Sequence, residues 1–128
     1  MAPIYDGFLP GQHQIEGYRA GGFHFAGMSH KGSILALPSG IRIWDAPDFE
    51  SLTPESFEAV LAEGRGAIDI LLIGSGAALR PLPREIRTML RAAGILADVM
   101  ATHHAIPTYN LLLGERRKAA AALIASGP

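Results

Sequence analysis

The sequence predicts an α/β fold: one three-layer domain over residues 1–128, a mixed sheet with βαβ crossovers, an amino-terminal β-hairpin and a carboxy-terminal helix. Three observations predict it. Residues Ile68 to Gly76 form an almost unbroken apolar run, too short for a helix and too apolar to be wet on either face. Such a run reads as a central, mostly parallel strand covered on both sides. Amphipathic helical patterns stand before and after it, as crossovers between parallel strands require. Strand-like alternations crowd residues 15–44, ahead of both helices.

The elements follow in order. Pro3, Gly7, Pro10 and Gly11 make residues 1–12 a loose lead-in. Ile15 and Tyr18 begin a short strand, and Gly21 and Gly22 break it. Phe23-His24-Phe25 and Ser33 to Leu37 read as a hairpin or meander, with Ser29-His30-Lys31-Gly32 as the turn between them. Pro38-Ser39-Gly40 is the next turn, and Ile41 to Trp44 alternates as another strand. Thr53, Pro54 and Glu55 have the cap, first-turn proline and acid of a helix start. Phe57, Val60 and Leu61 give that helix, 53–63, one apolar stripe ending at Gly64. The central strand is placed at 68–73. A second helix, 83–93, carries Ile86, Met89, Leu90 and Ala93 on one face and ends at Gly94. A strand follows at 95–100. The alanine- and leucine-rich stretch from Pro107 to Ala125 reads as a final helix, because those residues favour helix.

Composition narrows the function. Hydrophobic residues are 48% of the 128, charged residues 18%, and the formal net charge is −1. A nucleic-acid binder would ordinarily show a basic surplus. There is no cysteine, so thiolate chemistry and disulfides are excluded. The first twelve residues lack the basic and apolar regions of a signal peptide. No apolar run approaches the ~20 residues of a membrane helix. The expectation is a cytoplasmic protein that binds no nucleic acid and is not integral to a membrane. Its abundant alanine, glycine and arginine suit a GC-rich bacterial genome.

The candidate sites are few. Gly74-Ser75-Gly76, followed by Arg80, could free backbone amides for an anion. The turn lacks the third glycine of a dinucleotide fingerprint and the Gly-Lys-Ser/Thr of a P-loop, so a plain tight turn is the competing reading. His103 and His104 are adjacent, and His13, His24 and His30 share no ligand spacing, so no metal, cofactor or catalytic residue is assigned. If the final helix is continuous, Asn110 and Arg117 fall at about 40° and 20° from Ile106, on the stripe of Leu113, Ala120 and Ile124. There they either lock the helix by hydrogen bonds or line a pocket near the glycine turn. Trp44, at a strand end, is a core residue or, if exposed, a partner contact.

The ordered motifs also carry a resemblance. They are the Pro38-Ser39-Gly40 turn, Trp44, the strand into Gly74-Ser75-Gly76, the Gly94-Ile95 junction, Met100 with Thr102, Tyr109-Asn110 and Glu115-Arg116-Arg117. From about residue 14 to 125 the chain resembles a family of small, largely uncharacterised three-layer α/β proteins. That family includes an assembly factor of mitochondrial respiratory complex I (NADH:ubiquinone oxidoreductase), an adipogenesis-associated protein and many bacterial relatives. The family often has Glu-Gly-Arg where this chain has Glu115-Arg116-Arg117. The resemblance brings no catalytic residues. It implies a protein-binding or assembly role, with another protein as partner, and it competes with a small enzyme or anion binder using the glycine turn, Arg80 and Arg117.

Overall fold

The structure, a computed structural model, describes residues 4–125. Its strands are β1 (Phe8–Pro10), β2 (Gly17–Arg19), β3 (Gly22–Phe25), β4 (Met28–Lys31), β5 (Ile34–Leu37), β6 (Gly40–Ile43), β7 (Ile70–Gly74), β8 (Leu96–Met100) and β9 (Ala119–Leu123). A 3-10 turn, Pro54–Phe57, runs into the short helix α1 (Glu58–Leu61), and α2 (Arg84–Ala92) and α3 (Thr102–Gly114) complete the set. Six strands form one mixed sheet in the order β1-β6-β5-β9-β7-β8, while β2-β3-β4 form a separate antiparallel meander.

The apolar run sits where its composition demands. β7 is paired in parallel on both sides, to β8 and to β9. Leu71 and Ile73 project into one core with Phe57, Val60, Ile86 and Leu90 of the helices on that face. Leu72 projects into the other, with Ala105, Ile106 and Tyr109 of α3 and Phe23 and Phe25 of the meander. Alternation along a doubly covered strand thus feeds two cores, giving three layers. The crossover β7-α2-β8 is the expected unit, and β8-α3-β9 returns to the far side of β7.

Three expectations need correction. The stretch 107–125 is not one helix: α3 begins earlier, at Thr102, runs through Pro107 and stops at Gly114. Arg116 then adopts φ 60°, with the Arg116 and Arg117 N–H groups donating to the Leu113 and Leu112 carbonyls at 3.0 Å each. That is a Schellman stop, whose left-handed position usually holds glycine. The alanines beyond it form β9, wedged between β5 and β7 with every residue buried. Two-sided burial overrides their helix propensity. The hairpin also turns elsewhere. Gly22–Phe25 pair with Met28–Lys31 across Ala26 and Gly27, which take φ 50° and 75°, while Ser29 to Lys31 lie within β4. Ile34–Leu37 pair instead with β6, across the expected turn at Pro38 and Ser39. Finally, Phe8–Pro10, within the supposed lead-in, pair with β6 as an edge strand.

Candidate functional site

An open α/β sheet places ligands beyond the carboxyl ends of its strands, where the chain order reverses. In this chain that point lies between β7 and β9, and it holds a cleft of about 330 Å3. Ser75, Gly76 and Ala78 line one side, Ile124 and Ala125 another, and Asp48, Glu50 and Arg80 the rim. The glycine turn is therefore where the sequence reading put it.

The turn's polar groups are already engaged. Thr102, fully buried at the start of α3, accepts from the Gly76 N–H at 2.9 Å and donates to the Ile124 carbonyl at 2.7 Å. Its own N–H donates to the Gly76 carbonyl at 2.9 Å. Ser75 donates its N–H to the Met100 carbonyl at 2.8 Å, and its hydroxyl lies 2.7 Å from the Ala78 carbonyl. The Ile124 N–H donates to the Gly74 carbonyl at 3.0 Å. Thr102 thus ties three strand ends together. It also explains Gly74: a Cβ there would stand 2.8 Å from Thr102 Oγ1 and 3.0 Å from Thr102 Cα. The close packing of α3 on β7 requires the glycine. An anion at this turn would find neither the Ser75 nor the Gly76 amide free.

The remaining candidates do not gather here. Arg80 pairs with Glu50 across the rim at 3.1 Å, both side chains being more than half exposed. Arg117 is exposed in the turn before β9, at the amino-terminal end of that strand. β9 and β7 run parallel, so Arg117 and the glycine turn lie at opposite ends of the sheet. The expected stripe shared by Asn110, Arg117 and Ala120 fails because the helix ends at Gly114. Asn110 is a lock: its Oδ1 accepts from the Ile15 N–H at 2.9 Å and its Nδ2 donates to the Ile15 carbonyl at 2.8 Å. It clamps α3 to the chain leading into β2 as a strand partner would. Trp44 takes the core alternative rather than the exposed one. It is 5% exposed, packs edge-on against Phe57 and donates Nε1–H to the Ser56 carbonyl at 2.8 Å.

Two features escaped the sequence reading. Thr102 could have been suspected as a hydroxyl residue at a strand-to-helix junction, though only the fold reveals what it bridges. Arg84, Arg87 and Arg91 lie within about 60° on one face of α2 by helical arithmetic, a spacing legible in the sequence. Tyr109 is fully buried, and its hydroxyl has no hydrogen-bond partner among the described residues. Burial pushes its pKa up to about 12. Among the described residues no three His, Asp or Glu side chains are placed to hold a metal ion, and no helix is long and apolar enough to cross a membrane.

Known proteins share this architecture. The profile of a family described as "Protein of unknown function (DUF498/DUF598)" matches residues 15–124. An uncharacterized protein of Rhodobacter capsulatus is 37% identical over 97% of this chain and 93% of its own length. A protein of Danio rerio named NADH dehydrogenase [ubiquinone] 1 alpha subcomplex assembly factor 3 is 34% identical over 86% of this chain. The match spans 63% of that protein's own length. A crystal structure from Bartonella henselae, described as an outer membrane protein, is 45% identical and superposes with a TM-score of 0.85, covering 91% of this chain and 97% of that one.

Proposed function

Because the chain belongs to the DUF498/DUF598 family of proteins of unknown function, we propose that it is a non-enzymatic protein-binding module that serves the assembly of a respiratory complex. One observation carries the non-enzymatic part. The polar groups at the strand ends, where such a sheet holds a substrate, are consumed by the protein's own backbone through Thr102 and Ser75. The respiratory part rests on the vertebrate relatives named as complex I assembly factors. The module works in the cytoplasm, on another protein rather than on nucleic acid.

The test is genetic and biochemical. A tagged copy is purified after gentle cross-linking from its own cells, and the gene is deleted in parallel. The reading expects subunits of the NADH:ubiquinone oxidoreductase among the cross-linked proteins. It also expects less assembled complex on native gels of the deletion strain. Unchanged assembly together with no enrichment of such subunits would overturn it. Fractionation of the same cells checks the compartment.

A further inference from the structure

Resting on the reading of a protein-binding module, we infer that the outer edge of β8 is its docking site, and that it takes an extended segment of a partner protein with alternating acidic and apolar side chains.

The argument begins with the ladder. Leu96 N–H donates to the Asp69 carbonyl, and the Met100 carbonyl accepts from Ser75 N–H. In a parallel pair alternate residues turn both backbone groups to the same side. Leu96, Asp98 and Met100 therefore face β7, while Ala97 and Val99 turn their N–H and C=O groups outward. β8 is a sheet edge, so no strand of the described residues meets them. One of the four groups is capped: Arg87 Nη1 donates to the Ala97 carbonyl at 3.2 Å. The Ala97 N–H and both Val99 groups stay available. The other edge is blunted, because β1 is short and carries Pro10.

The chemistry of the partner follows from the walls. Two adjoining hollows, about 270 and 400 Å3, run along this edge and share Arg87 and Ala97. Arg91 lines the first and Arg80 the second. Among the described residues Asp98 is the one acid lining either hollow. The Arg91 side chain has no hydrogen-bond or ion-pair partner among the described residues. Leu79 and Leu96, 68% and 63% exposed, supply apolar surface at the two ends. A strand laid on β8 alternates its side chains between the arginine-bearing α2 face and the face bearing Leu96. Acidic residues complement the first and apolar residues the second, while the backbone supplies the ladder bonds of β-augmentation.

The probe is a capped ten-residue peptide alternating glutamate and valine, titrated into the full chain and followed by amide NMR. Its lysine–valine counterpart is the control. The expected result is binding of the glutamate peptide with shifts at residues 96–99 and 80–91, and no binding of the lysine peptide. Val99→Pro removes one outward N–H and should weaken binding about tenfold, the worth of one ladder hydrogen bond. Should that variant misfold, Arg80→Glu with Arg91→Glu leaves the edge intact and should weaken binding about tenfold or more. No binding by the wild type, equal binding of both peptides, or indifference to the arginine reversal would overturn the inference. So would a self-associated wild type that Val99→Pro dissolves, which would assign the edge to a second copy. The cross-linking experiment separates the two readings. Oxidoreductase subunits captured equally by wild type and by the double reversal would leave the assembly role standing and sink the docking edge.

Discussion

Beyond the carboxyl ends of β7 and β9, the Gly76 N–H, the Ser75 hydroxyl and the Ile124 carbonyl all meet partners inside the protein. Along the outer side of β8, one strand away, the Ala97 N–H and the Val99 groups meet none among the described residues. Both places look like sites: one has the position in the fold that ligands favour, the other is only an edge. The difference is hydrogen-bond accounting. A buried polar group must find a partner, and an N–H already given to one has nothing left to donate to a ligand, while an unpaired backbone edge is a template for another strand.

The largest effect should come from opening the closed region. Thr102→Val keeps the shape but leaves the Gly76 N–H and Ile124 carbonyl buried without a partner. It should cost about 2–4 kcal/mol, given ~1–3 kcal/mol per orphaned group, read by urea unfolding. Gly74→Ala, which drives a Cβ onto Thr102, should cost about 1–3 kcal/mol, the usual toll of overpacking. If either substitution were neutral, the strand ends would not be locked as described.

Next in size is the Tyr109 hydroxyl, a buried group without a partner among the described residues. Its pKa is raised to about 12. The folded state therefore holds the proton more tightly, and the benefit is present below about pH 10, the unfolded value. It is lost as pH rises from 10 towards 12. The wild type should shed roughly 2 kcal/mol more than Tyr109→Phe over that interval. Near neutral pH, Tyr109→Phe should be neutral or up to about 1 kcal/mol more stable, since it removes an unmatched hydroxyl. Parallel alkaline unfolding curves for the two proteins would break the account.

Smaller still is Arg116→Gly, which relieves the left-handed residue after α3. It should stabilise by about 0.5–1 kcal/mol in thermal unfolding, the cost of a side chain at positive φ less the added freedom of the unfolded chain. Smallest is Arg117→Met, an exposed change that should stay within about 0.5 kcal/mol. A cost above 1 kcal/mol would restore the buried role once expected of it.

The last two changes show where the sequence was legible. Ile70–Gly74 could be read as the doubly covered strand because its apolar run is a local signal for a global position. The α2 crossover could be read from its stripe. The chain after Pro107 could not. Four alanines carry helix propensity and no periodicity, and only the partners β5 and β7 make them a strand. Pro107 read as a helix start when α3 in fact passes through it, and the Schellman stop was hidden because arginine occupies a position usually given to glycine. The familiar Glu-Gly-Arg pattern was the available clue. At the candidate site, the glycine turn was visible, but its closure was not. Thr102 acts through contacts with residues 76 and 124, and no spacing rule in the sequence reports such a junction. Asn110 stood out as a polar residue of the final helix, yet its partner, Ile15, lies 95 residues away.

Amide hydrogen exchange compares the two regions in a single experiment. On the full chain without any partner, the Gly76 amide should exchange only through large-scale opening, because it donates to a buried hydroxyl, while the Ala97 and Val99 amides should exchange orders of magnitude faster. Adding the glutamate–valine peptide should slow Ala97 and Val99 and leave Gly76 unchanged. A fast Gly76 amide, or Val99 protected as strongly as the β7 amides in the isolated protein, would contradict the account.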